Sequence, residues 1–126
     1  MKIFKIGEKE YKVQYGYNTF CDTDLMDRVH DMATIFADKN PDMGKIRSLF
    51  VVSRELFYVG LQKHNPVESV QAAGDLLDRY NAEAPEGASR NMMDIFNALT
   101  SELTEEGFLS GMMSDQKETQ IKKKTR

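Results

Sequence analysis

There is no tryptophan in this chain, a single cysteine, Cys21, and only two histidines, His30 and His64. One thiol cannot close an internal disulfide, so a scaffold held by bridges is excluded and a reducing compartment is expected. No stretch approaches the ~20 consecutive apolar residues of a membrane-spanning helix. Lys2 and Lys5 fall in a strand-like alternation with no long apolar segment after them, so no signal peptide is expected. There is no Asn-X-Ser/Thr glycosylation site. GxGxxG, GxxxxGK[ST], CxxC and HExxH are all missing as well. These absences point to a cytoplasmic protein with no metal, no cofactor and no catalytic residues.

What is present suits one domain. A chain of 126 residues buries roughly two-thirds of its unfolded surface without staples. Apolar content of 40% with 29% charged residues is that of a globular protein. The net charge of −3 is uneven: residues 115–126 hold five cations against Asp115 and Glu118, which leaves the body at −6.

Periodicity divides the chain into a hairpin and helices. Residues 1–17 read as a β-hairpin, with Phe4 and Ile6 on one face of the first strand and Tyr11, Val13 and Tyr15 on one face of the second. Gly7-Glu8-Lys9-Glu10 supplies the turn. Two strands alone are marginal, so their apolar face must pack on helices. A helix is predicted over 22–36, with Leu25, Val29, Met32 and Phe36 inward, then a break at Asp38-Lys39-Asn40-Pro41-Asp42. A second is predicted over 43–63, with Ile46, Leu49, Phe50, Ser53, Phe57, Gly60 and Leu61 on one face. Val52, Leu56 and Val59 widen that arc, as a central helix requires. Gly60 costs about 1 kcal/mol relative to alanine mid-helix, which points to close approach by a neighbouring helix or the hairpin.

Pro66 ends this helix by His64, and Asn65, Pro66 and Glu68 match the N-cap, N1 and N3 positions of the next. That helix turns Val70, Ala73, Leu76, Leu77 and Tyr80 inward. A loop follows over 81–90, and a further helix over 89–103 carries Met92, Ile95, Phe96, Leu99 and Leu103. A short amphipathic turn around Phe108, Leu109, Met112 and Met113 precedes a flexible basic tail over 114–126. The expected fold is α+β, mostly α: a hairpin on four to five helices, in a single domain over 1–113.

Individual side chains carry little chemistry. His30 is expected to be exposed and His64 to serve as a local hydrogen-bond partner. Cys21 is expected to be an inert buried thiol. Asp75 and Asp78 form one carboxylate pair, and Glu102, Glu105 and Glu106 form another cluster. Both are expected to be solvated faces rather than acid–base groups. The basic tail and the lysines of the hairpin allow an alternative reading as a small nucleic-acid-binding regulator. Glu8 and Glu10 and the narrow hairpin count against it. Eight methionines, with doublets at Met92-Met93 and Met112-Met113, are a stronger signal. Core filling is the default role of such residues; the alternative is that, because adjacent helical residues do not share a face, one thioether of each pair is left partly exposed to accept apolar partners. Met92, Met93, Phe108, Leu109, Met112 and Met113 are the candidate partner-binding residues.

Three segments resemble the tail assembly chaperones of long-tailed siphophages of Gram-positive bacteria. They are the hairpin IGEKEYKVQYG, the corner LFYVGLQKHNPVES with its continuation VQAAGDLLDRY, and the closing amphipathic helix with EEGFL. Together they span most of residues 1–113, while the loop at 81–91 and the methionine doublets lie outside the resemblance. It implies a non-enzymatic factor of the host cytoplasm that coats the tape-measure protein, helps recruit tail-tube subunits and is absent from the finished virion. It also implies a longer form made by ribosomal frameshifting, which would contact the tail-tube protein, and self-association into rings or spirals. Lys122-Lys123-Lys124 could be encoded by a slippery A-rich run.

Overall fold

A computed structural model describes residues 2–36 and 42–104, with the side chains of residues 20, 33–36 and 104 outside the description. Strands β1 (Lys2–Ile6) and β2 (Lys9–Val13) form an antiparallel hairpin. Five helices follow: α1 (Tyr17–Asp22), α2 (Leu25–Phe36), α3 (Met43–Leu61), α4 (Val70–Ala82) and α5 (Met92–Thr104). The mostly helical α+β architecture is the expected one. The segments holding Phe108, Leu109, Met112, Met113 and the basic tail lie outside the described residues.

Phe4 pairs with Tyr11 and Ile6 with Lys9 across the hairpin, so the turn is only Gly7-Glu8, two residues shorter than expected. Gly7 stands at φ 63°, the left-handed value that a first-position glycine supplies in a tight hairpin turn. Phe4, Ile6, Val13 and Tyr15 are buried together. The Phe4 ring meets Phe57 of α3 at 5.2 Å and Tyr80 of α4 at 5.0 Å, both edge-to-face. One strand side chain thus ties the hairpin to two helices.

The central element is α3, which packs against β2, α2, α4 and α5. Its glycine is where the hairpin lands. A Cβ built on Gly60 would lie 2.4 Å from Val13 Cγ1 and 3.2 Å from the Tyr15 ring. Of the two neighbours the sequence allowed, the hairpin is the one that approaches. Gln14 N–H donates to Gly60 C=O at 3.0 Å, and Tyr15 O–H donates to Leu56 C=O at 2.7 Å.

Four expectations about boundaries are corrected. First, α3 ends at Leu61 rather than Lys63, because Gln62 N–H turns back to Val59 C=O and Asn65 N–H to Leu61 C=O. Gly60 C=O is thereby left for the strand. Second, α4 begins at Val70 and its N-cap is Ser69, whose hydroxyl accepts from Ala72 N–H at 3.0 Å. Asn65 does not cap a helix. Its Oδ1 accepts from Lys12 N–H at 2.7 Å, so the Asn-Pro corner seals the open edge of β2. Third, the helix expected from residue 22 starts at Leu25, and a separate helix that was not expected, α1, precedes it over Tyr17–Asp22. Asp22 closes α1, Thr23 adopts an extended backbone, and its hydroxyl accepts from Leu25 N–H at 3.3 Å as α2 starts. Fourth, α5 starts at Met92, capped reciprocally: Asp94 N–H donates to Asn91 Oδ1 at 3.0 Å and Asn91 N–H to Asp94 Oδ2 at 3.2 Å.

Two predictions follow from the contact at Gly60. Gly60→Ala gains up to about 1 kcal/mol of helix propensity but pushes a β-branched neighbour that has few rotamers. Overpacking of that kind costs about 1–3 kcal/mol, so urea unfolding should show net destabilisation that shrinks in a Val13→Ala background. Unchanged or raised stability would remove the contact from its central place. Burial, and secondarily the Glu102 carboxylate, raises the Tyr15 phenol well above its usual value. The folded state therefore holds that proton more tightly than the unfolded chain. Stability is fully present below about pH 10 and is lost as pH rises beyond it. Tyr15→Phe should flatten this alkaline loss in a pH series of chemical unfolding.

Candidate partner-binding surface

The apolar stripe of α3 is not covered along its whole length. Leu49, Val52, Leu56, Phe57 and Leu61 are buried, but Met43 is 77% exposed and Phe50 is 55% exposed. Phe50 was expected inward with Leu49 and Ser53. It stands instead where α4 and the start of α5 leave α3 uncovered. Two adjoining clefts share Phe50, Leu77 and Asp78 as walls. One, of about 330 Å³, runs between α3 and α4 past Arg47, Arg54 and Gly74. The other, of about 320 Å³, reaches α5 at Asn91, Met92 and Ile95.

The methionine doublet on α5 divides as helix geometry dictates. Met92 is half-buried against the core and lines the second cleft, whereas Met93 is 37% exposed. Phe108, Leu109, Met112 and Met113 cannot be placed relative to them, being outside the described residues. Of the expected partner-binding set, the structure therefore positions Met92 and Met93. It adds Phe50, Leu77 and Met43 to the exposed or cleft-lining apolar residues. Phe50 had a readable signal: an aromatic seven residues after Met43, at the outer edge of an arc already wide enough to be covered twice.

Polar neighbours hold this region in shape. Arg90 stacks on the Tyr80 ring at 4.2 Å and donates to Tyr80 C=O at 3.2 Å, while Asn81 donates to Arg90 C=O at 2.6 Å. The 83–91 loop is thus pinned against the end of α4, which sets where α5 begins. On the far side, Arg28 of α2 clasps Glu55 of α3 through both carboxylate oxygens. At the hairpin turn, Glu83 accepts from Gly7 N–H at 2.6 Å and pairs with Arg79. The Gly7 bond, and then Arg79, hold the Glu83 carboxyl below its ordinary value.

Matched against known proteins, the chain fits no family model, no curated protein and no solved structure. The site must therefore be read from its own chemistry.

Its main feature is an exposed aromatic, Phe50, at the shared wall of two clefts. No group of three or more histidine, cysteine, aspartate or glutamate side chains that could hold a metal ion occurs among the described residues. No described helix is long and apolar enough to cross a membrane. His30 is exposed, and His64 Nε2 lies 2.6 Å from Gln14 Oε1, beside the corner. Asp75 and Asp78 are exposed as expected. Two expectations fail. Cys21 is exposed, on the face of α1 opposite the buried Thr19. Glu102 is only 2% exposed, lying on the inward side of α5 beside the fully buried Leu99 and Leu103 and within electrostatic reach of Tyr15. Three further hollows, of about 540, 460 and 500 Å³, lie beside Gln14, Tyr17 and Val59, beside Arg28, Met32 and Arg47, and beside Tyr11, Val67 and Leu76.

The two phenylalanines of α3 make a direct comparison. Phe57→Ala removes a ring that is wholly buried and should cost about 3–5 kcal/mol. Phe50→Ser should stay within about 0.5 kcal/mol of the parent in urea unfolding. A large loss at Phe50 would mean that it is structural.

Proposed function

We propose that this protein is a tail assembly chaperone of a siphophage, an interaction protein that holds the long helical tape-measure protein in solution while tail-tube subunits gather around it. The observation that carries the reading is the resemblance of three segments, in order, to that family: the hairpin, the Asn-Pro corner with the following helix, and the closing amphipathic helix. The fold gives the first two a shared purpose, since Asn65 of the corner accepts from Lys12 of the hairpin. The exposed aromatic between α4 and α5, with methionines beside it, supports the reading. A helical partner presents apolar side chains every three or four residues, and thioethers adapt to many of them.

On this reading the protein is not an enzyme and acts in the host cytoplasm. It leaves before the virion is complete, works beside a longer frameshifted form that contacts the tail-tube protein, and can self-associate around its extended partner.

The test is co-expression with the long helical protein encoded downstream in the same genome, followed by pull-down and sizing. The expected result is a soluble complex with a partner that is insoluble alone. If the partner stays insoluble with both the 126-residue protein and the longer form, the reading is wrong. Binding to a DNA duplex that weakens steeply with salt would then favour the regulator.

A further inference from the structure

Residues 43, 47, 50 and 54 recur along α3 at spacings of four, three and four, and so form one stripe. Met43, Arg47 and Phe50 are exposed, and Arg54 is half-buried at the wall of the α3–α4 cleft. Apolar and cationic side chains alternate along it. The only carboxylate of α3, Glu55, is already engaged by Arg28. Neither Arg47 nor Arg54 makes an ion pair among the described residues. The Arg54 Nε is buried there without a hydrogen bond, its stem lying against Gly74 of α4. Asp78 is the one carboxylate lining both clefts. In a chain of net charge −3, this stripe is locally cationic.

We infer that the Met43–Arg54 stripe of α3 is a docking site for an acidic amphipathic helix, which seats an apolar side chain against Phe50 and Leu77 and sets carboxylates on Arg47 and Arg54. The inference deepens the chaperone reading by naming the chemistry of the partner segment. Charge complementarity selects the occupant. An apolar helix without carboxylates would leave both guanidiniums facing an apolar surface, and a basic helix would be repelled. Arginine suits the task, because its planar fork binds carboxylates in two-point fashion while its stem covers apolar surface. The heptad-like spacing of the stripe matches that of a partner helix lying alongside.

The probes are two synthetic peptides of about 20 residues, long enough to form helix, with the same leucine stripe. One is flanked by glutamates and the other by lysines. Fluorescence anisotropy against the full chain should show the acidic peptide binding at least tenfold more tightly than the basic one, with the preference narrowing in high salt. Arg47→Glu with Arg54→Glu should reverse the preference, and Phe50→Ser should weaken both peptides. Circular dichroism checks that each variant is folded, and Arg47→Glu alone, at an exposed position, should already cut the preference severalfold.

Several results would overturn the inference: no binding, equal binding, or an acidic preference that survives both arginine reversals. Self-association of the protein abolished by the same substitutions would reassign the stripe to a second copy. Displacement of the acidic peptide by a DNA oligonucleotide would reassign the arginines to phosphate. The two readings fail separately. If the arginine variant still solubilises the tape-measure protein, the docking site is wrong and the chaperone stands. If the wild type solubilises nothing, the chaperone reading falls and the peptides alone decide the site.

Discussion

The bare Cα of Gly60 is the constraint on which the architecture depends. A two-stranded hairpin has too little apolar surface to stand alone, and here it is fastened to the end of a helix by contacts that need backbone and strand to touch. Val13 sits within 2.4 Å of where a Cβ would be, Gln14 takes the Gly60 carbonyl, and Tyr15 takes that of Leu56. The next turn of chain brings Asn65 to Lys12. The helix end, the hairpin edge and the corner are therefore one arrangement, in which polar groups that would otherwise be orphaned satisfy one another.

This arrangement divides α3 into two working halves. Its C-terminal half is enclosed: Leu56, Phe57, Gly60 and Leu61 are buried under the hairpin and neighbouring helices. Along its N-terminal half, one stripe stays open at Met43, Arg47 and Phe50, while Leu49 and Val52 behind it hold the helix to the core. The same helix can therefore anchor the fold at one end and present side chains at the other, with the presenting end held rigid by the anchored one.

Much of this was legible in the sequence because periodicity reports which face is buried. Phe4 with Ile6, Val13 with Tyr15, and Leu49, Ser53, Phe57, Gly60 and Leu61 of the α3 stripe read correctly, and the cost of Gly60 pointed to a close neighbour. The misreadings share a cause: a local signal was met by a non-local partner. Asn65 before Pro66 looks like a helix cap, but the unpaired N–H of Lys12 claims its side chain, and Ser69 caps instead. Phe50 has the hydrophobicity of a core residue, yet which helix covers it depends on where the 83–91 loop lets α5 begin. Glu102 looks solvated by composition, but its position beside Leu99 and Leu103 turns it inward. Of the candidate site, the methionine doublet at 92–93 was visible as composition. The arginine stripe was not, because its meaning lies in what α4 and α5 leave uncovered.

The central claim, that the open end of α3 with the adjoining start of α5 receives an apolar helical partner, is tested most directly by the methionines themselves. With methyl-labelled methionine, NMR spectra recorded with and without a soluble helical segment of the tape-measure protein separate the two sides of the molecule. Met43, Met92 and Met93 lie at or beside the stripe and clefts, whereas Met26 packs on the core from α2 and lines neither cleft. The account predicts shifts of the first three signals, with Met26 unmoved. Shifts confined to Met26 and its surroundings, with Met43, Met92 and Met93 silent, would contradict it.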